Sequence, residues 1–353
     1  MARLSDARQS ERAIVDFGKG RPVAIISDAW YPQINGVVRT LQRMVDALNG
    51  FGHPTRVIGP DRFRTIPCPS YPEIRLAIDA WARLPKLLDE TPDEAIHIAT
   101  EGPLGQAARR YCLRRGRPFT TAFHTRFPEY VQARIRLPLS WTYGFMRRFH
   151  GAAQCTMVTT ESMRRDLEGW GFRNLALWTR GVDTDLFHPR EKGALNLPRP
   201  IFMNVGRVAV EKNIGKFLDL ELPGSKVVVG DGPQIAELRE AYPEVHFLGA
   251  REGEELADLY AAADVFVFPS RTDTFGLVLL EALASGVPVA AYPVNGPIDV
   301  IRDPAVGVLD EDLGAAARRA LDCDPAACRR YALGYSWDAS ARQFLDNLSP
   351  ILA

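Results

Sequence analysis

A chain of 353 residues has room for two domains of ordinary size, and its 46% hydrophobic and 24% charged residues are those of a soluble globular protein. The formal net charge is zero, yet residues 1–180 hold 27 Lys and Arg against 17 Asp and Glu, and the second half reverses the sign. That asymmetry fits either a basic surface with an anionic partner or ordinary solvated charge. Apolar runs such as Val265 to Phe268 are far too short to span a bilayer. Residues 1–20 are polar and charged and lack the apolar core of a signal peptide, so a cytoplasmic location is expected. Five scattered cysteines with no C-x-x-C pair fit a reducing compartment better than a disulfide or zinc framework.

The first twenty residues read as a tail. Pro22 to Ser27 is a short apolar run of the buried-strand type, followed by a loop from Trp30 to Gly36. Val37 to Leu48 has helical spacing, with Val37, Leu41, Met44, Val45 and Leu48 on one face. Strands are then expected at Thr55–Ile58, Ala95–Ile98, Phe119–Ala122 and Met157–Val158, with helices at Leu104–Cys112 and Ser162–Gly169. Breakers at His188-Pro189, Pro198 and Pro200 mark a boundary. Alternation restarts with strands at Ile201–Val205, Lys226–Val229, Val245–Leu248, Val265–Phe268 and Val287–Ala290, and ends in an amphipathic helix, Tyr335 to Leu348. Such alternation predicts an α/β chain with two Rossmann-like domains facing a cleft. The expected division is a tail at 1–20, domains at 21–188 and 189–334, and a closing helical segment at 335–353.

The richest stretch runs from Pro269 to Val289: a strand end, a loop with Asp273 and Gly276, a helix carrying Glu281, and a stop at Gly286-Val287-Pro288. N–H groups at such a helix start bind anions, and carboxylates nearby reach sugar hydroxyls, which suits a nucleotide-sugar diphosphate. Arg207 and Lys212 follow a strand ending in Asn204-Val205-Gly206. They can clamp a diphosphate, or form a surface cluster with Glu211. Gly36 and the Gly230–Pro233 turn also follow strands, but the third glycine of a dinucleotide fingerprint is missing, as is any P-loop. His124, after the strand Phe119–Ala122, can donate a hydrogen bond to a sugar or act in acid–base chemistry. Asp183-Thr184-Asp185 reads as a turn with capping carboxylates, and no metal-ligand spacing occurs. Residues 126–150 interleave cations and aromatics, among them Arg126, Tyr130, Arg134, Arg136, Trp141, Arg147 and Arg148. An anionic membrane surface is preferred to nucleic acid as their partner, because no nucleic-acid motif accompanies them; a core helix with a solvated basic face is the plainer reading.

Together these segments resemble the retaining GT-B glycosyltransferases of glycosyltransferase family 4, from about Val23 to Leu348. The resemblance implies that Gly36 and Gly206 lie near the donor diphosphate, that Arg207 and Lys212 bind it, and that His124 contacts the transferred sugar. It places Asp273, Thr274, Phe275 and Gly276 around sugar and phosphate and Glu281 on the ribose. The final helix is expected to cross back to the N-terminal domain. His124, Arg207, Lys212 and Asp273 are the catalytic candidates. Asp273 is one methylene shorter than the family's usual glutamate. HIATEGPLG (97–105), FHTRFPEY (123–130) and RGVDTDLFHP (180–189) look most like sulfoquinovosyl-diacylglycerol synthases, lipid mannosyltransferases and related glycolipid synthases. The resemblance therefore implies a bacterial enzyme, peripheral on the inner face of the cell membrane, needing no metal or cofactor. It would transfer glucose or glucuronate from a UDP-sugar to diacylglycerol or ceramide, and Arg271 can pair with an anionic sugar or cap its loop. Transfer from GDP-mannose, a soluble acceptor, an epimerase and a non-catalytic binding protein are the alternatives.

Overall fold

Unbroken apolar runs of four or five residues become strands of two parallel sheets. The computed structural model describes residues 20–33, 35–68 and 71–348, without the side chains of 71–73 and 133–135. Residues 1–19 of the expected tail, and those after Leu348, lie outside the described residues. The first domain contains β1 (Val23–Ile26), β2 (Thr55–Ile58), β3 (Thr65–Cys68), β4 (Tyr71–Ala77), β5 (Ala95–Ile98), β6 (Phe119–Phe123), β7 (Cys155–Val158) and β8 (Leu175–Leu177). Its sheet runs β2-β1-β5-β6-β7-β8 with every pairing parallel, while β3 and β4 form a separate antiparallel hairpin. The second domain contains β9 (Ile201–Val205), β10 (Ser225–Val229), β11 (His246–Gly249), β12 (Val265–Phe268), β13 (Val289–Ala291) and β14 (Gly307–Leu309). They form a second parallel sheet in the order β11-β10-β9-β12-β13-β14. β1, β5, β7, β9 and β12 are buried at every position, since helices cover both faces, and so they read as continuous rather than alternating apolar runs.

The helix Gly36–Gly50 starts where the Asn35 side chain accepts hydrogen bonds from the N–H groups of Val37 and Val38, and it buries Val38, Leu41, Met44 and Leu48. The closing helix, Trp337–Leu348, crosses back to the first domain. Ala341, Phe344, Leu345 and Leu348 enter the same core as Val23, Ile25, Leu41 and Trp178. Polar contacts fix its register: Gln343 accepts from the Thr179 N–H at 2.7 Å, and Asn347 donates to the Leu177 carbonyl at 2.7 Å. The crossing requires Gly181, because a Cβ there would stand 2.4 Å from the Trp337 nitrogen and 2.5 Å from the Ser336 carbonyl carbon. Among the described residues no helix is long and apolar enough to cross a membrane.

Candidate active site

The donor-side loop joins β12 to the helix Leu277–Ala284. Gly276 precedes that helix at φ 85°, and an added Cβ would lie 3.1–3.3 Å from Leu279 and Phe268. Phe275 is buried in the second domain's core, so its side chain is structural and only its backbone is left to meet a ligand. Of the first-turn N–H groups of the helix, that of Leu279 is taken by the Gly276 carbonyl at 3.0 Å, and those before it suit an anion. Asp273 reaches back to the segment after β9, where its Oδ1 lies 2.5 Å from the Lys212 Nζ. The other oxygen, Oδ2, is buried without a hydrogen-bond partner. Thr272 ties the two segments further by donating to the Glu211 carbonyl at 3.1 Å. Burial alone would lower the Lys212 pKa, but Asp273, Tyr130 and Glu211 outweigh it and hold the amine above its ordinary range. Gly206 and Arg207 begin the same segment, and Val208 bonds to the carbonyl of Asp231 in the Gly230–Pro233 turn at 2.9 Å.

From the first domain, His124 stands at the end of β6 against this loop. Thr274 donates its hydroxyl to the His124 carbonyl at 2.8 Å, and Thr159, after β7, donates to the Thr274 carbonyl at 2.7 Å. The His124 Nδ1 lies 3.2 Å from the Arg180 guanidinium, and its Nε2 is buried without a partner. Burial, then Arg180, then His97 and His150 push the imidazole's pKa well below its usual value. At neutral pH the ring is therefore held neutral, the form that can donate one hydrogen bond.

Glu281 is buried near the helix middle, where Tyr260 donates to it at 2.8 Å and Arg39 approaches from the first domain at 3.6 Å. Burial raises its pKa, with Arg39 and Tyr260 opposing. Gly36 lies across the cleft from the same helix: a Cβ there would be 3.8 Å from Leu277. Arg39, Tyr260, Thr159 and Arg180 were not singled out as site residues by the sequence. Each is an ordinary residue type in an ordinary pattern, and only the fold brings it to the site.

The basic segment 126–150 needs revision. It is two helices, Phe127–Ile135 and Leu139–His150, broken at Arg136, whose φ is 53°. Tyr130 does not face a membrane: it sits by Lys212, Asp273 and Thr272, where burial raises its phenol's pKa. Arg126 is not a surface cation either, being paired with Asp166 at 2.6 Å and Glu129 at 3.1 Å. The side chain of Arg134 lies outside the described residues. Arg136, Trp141, Arg147 and Arg148 are exposed, with Trp141 at 72% and its helical neighbour Phe145 at 48%. Arg271 is engaged by Glu311 at 2.7 Å and lies over the Tyr292 ring, which removes the reason to assign it an anionic sugar. Asp183 caps its turn by accepting from the Asp185 and Leu186 N–H groups, and pairs with Arg43 at 2.6 Å. Among the described residues no group of three His, Cys, Asp or Glu is placed to hold a metal.

Two parallel-sheet domains meeting at a cleft, with a cation and a helix start on one side and a histidine on the other, define a GT-B glycosyltransferase. The chain belongs to glycosyltransferase family 4: residues 34–186 match "Glycosyltransferase Family 4", and residues 199–323 match "Glycosyl transferases group 1". It is 30% identical to a GDP-mannose-dependent alpha-mannosyltransferase of Mycobacterium tuberculosis over 94% of this chain and 97% of that one. It is 32% identical to a sulfoquinovosyl transferase of Arabidopsis thaliana over 84% of this chain and 62% of the relative. An alpha-monoglucosyldiacylglycerol synthase of Streptococcus pneumoniae is 24% identical over 86% of this chain and 79% of its own length. The fold is also that of sucrose-phosphate synthase from Thermosynechococcus elongatus, with a TM-score of 0.74, 24% identity, and coverage of 92% and 98% of the two chains.

Proposed function

We propose that this glycosyltransferase moves a hexose from a nucleotide sugar to a lipid acceptor with retention at the anomeric carbon. The observation that carries the donor half is the Lys212–Asp273 pair beside the Gly276 helix start, facing His124 across the cleft. Lys212 and the helix N–H groups suit a diphosphate, and preorganised charge at a leaving group is a large catalytic term. Asp273 is neutralised by Lys212 rather than free as a nucleophile, which favours attack from the leaving group's own face. The diphosphate would then accept the acceptor's proton. The UDP-sugars expected from the sequence give way to GDP-mannose as the first donor to test, because the relative matched over nearly its whole length carries that name.

The lipid half rests on the outer face of the helix Leu139–His150. Trp141, Phe145 and Arg148 recur at i, i+4 and i+7 and are exposed, an arrangement suited to an anionic membrane interface. The relative named for diacylglycerol supports the same acceptor class. A thermal-shift panel of GDP-mannose, UDP-glucose, UDP-galactose and UDP-glucuronate tests the donor, since a ligand of the native state raises its melting temperature. Assays with the stabilising donor then compare diacylglycerol vesicles with soluble sugars, and NMR of the product reads the anomer. Transfer only to soluble sugars, or an inverted anomer, would overturn the corresponding half of the proposal.

A further inference from the structure

The RGVD stretch at 180–183 lies outside the donor loop, yet its arginine touches the site. Arg180 is buried beneath the crossing helix, 4% exposed, with its guanidinium 4.1 Å above the centre of the Trp178 ring. One terminal nitrogen donates to the Trp178 and Thr179 carbonyls at 2.7 and 3.2 Å, and the other faces the His124 Nδ1 at 3.2 Å. Trp178 packs edge-on to His124 and against Phe344 of the closing helix. Guanidinium nitrogens can only donate. The His124 Nδ1 must therefore accept, and in the neutral ring the proton must sit on Nε2. That Nε2 is the atom left buried and unpartnered. A buried donor without a partner is costly, so its acceptor is sought outside the protein.

We infer that Arg180 is a positioning residue that fixes His124 as the Nε2–H tautomer, so that the site presents a hydrogen-bond donor to an oxygen of the bound sugar. The sugar contact rests on the glycosyltransferase reading; the tautomer does not. The ligand atom must be an acceptor, a hydroxyl or carboxylate oxygen, and an ammonium-bearing sugar placed there would be rejected. The groups facing His124 all support the neutral ring. Arg180, His97 and His150 each disfavour a proton, Trp178 carries no charge, and Thr274 from the second domain bonds to the main-chain carbonyl. His97, its neighbour in the cluster, is likewise neutral, with a pKa pushed down to about 3 by burial and Arg180.

The test is 15N NMR of the full chain labelled at histidine, with the His124 signals assigned by their loss in His124→Gln. The expected result is a protonated Nε2 and a bare Nδ1, unchanged between about pH 5 and about pH 8. A protonated Nδ1, or titration in that window, overturns the inference. In Arg180→Met the second tautomer should appear and kcat/KM should fall by about tenfold, the factor one buried hydrogen bond is worth. A fall in activity with the tautomer unchanged would mean that Arg180 is merely structural. GDP-mannose or UDP-glucose, whichever is turned over, should shift the Nε2 signal; no shift with a turned-over donor removes the sugar contact. If neither these donors nor UDP-galactose and UDP-glucuronate are turned over, the proposed donor class fails while the tautomer result still stands.

Discussion

Replacing Lys212 by Ala should separate catalysis from stability. The Lys212 and Asp273 side chains retain 27% and 18% exposure, so their contact is neither a screened surface pair nor a fully buried one. Breaking it leaves the Asp273 carboxylate with no cation at 2.5 Å and one oxygen already unpartnered. A stability loss of about 1–3 kcal/mol follows, between the values for exposed and buried pairs. The melting temperature should drop by about 2–4 °C per kcal/mol. Turnover should fall much further. Removing one preorganised donor from a developing charge costs about 3–4 kcal/mol, or roughly 10²–10³ in kcat. Because Lys212 is held above its ordinary pKa of 10.5, its charge and the pair's stabilisation are complete at neutral pH. They are lost only as pH rises through the still higher folded value. Nucleotide release measured at saturating donor, with a parallel thermal melt, checks both numbers. A variant keeping kcat within about threefold would refute the assignment of Lys212 to the leaving group. Asp273→Asn, alone and combined with Lys212→Ala, supplies the cycle: coupling of about 1 kcal/mol or more is expected in stability, and additivity would show the contact to be idle.

Glu281→Gln should flatten the pH dependence of donor binding. Burial raises the Glu281 pKa above its ordinary 4.5, so acidification protonates it earlier than an ordinary glutamate and would weaken the proposed acceptance of ribose hydroxyls, though protonation itself relieves the fold. Donor thermal shifts across acidic pH would refute this if native protein and variant declined together. Gly181→Ala should destabilise by about 1–3 kcal/mol, because its Cβ overlaps the Trp337 backbone, and an unchanged melting temperature would mean that the crossing segment gives way freely. Exchanging Trp141 and Phe145 for Ser should leave the melt unaltered, since both are exposed, while vesicle sedimentation falls by about tenfold or more. Equal sedimentation would remove this face from the membrane reading.

The sheets were legible because buried parallel strands announce themselves: VAII, AIHI and VFVF are apolar at nearly every position. The hairpin β3–β4 was not. Its sequence is broken by Pro67, Pro69 and Pro72, alternates only over Glu73–Leu76, and has no Asn-Gly or Asp-Gly turn signal. At the site, the donor-side residues could be found because they occupy one continuous loop and helix, 273–281, and one strand end. Tyr130 and Arg126 were misplaced for a physical reason. An arginine or tyrosine on an amphipathic helix has the same spacing whether it faces a membrane, an ion pair or the opposite domain. Helix period reveals that a residue leaves its own core, not what it meets.

What it meets is set by closure of the cleft. Thr274 and Thr159 join the donor loop to β6 and β7; Asn295 donates to Asp166 at 2.6 Å; Ser162 bonds to Asp299; and Arg39 reaches Glu281. These contacts are polar and small, so water can replace them if the domains part. Each is worth about 0.5–1.5 kcal/mol, a cost that binding a charged nucleotide sugar can offset. The crossing helix, by contrast, is held by Phe344, Leu345 and Leu348 deep in the first domain's core. The segment carrying Arg180 and Gly181 is thus anchored to the first domain, and the loop carrying Asp273 and Thr274 belongs to the second. The His124 ring is therefore held by Arg180 and Trp178 of its own domain, while on the proposed reading Lys212 and Asp273 would meet the diphosphate from the opposite one.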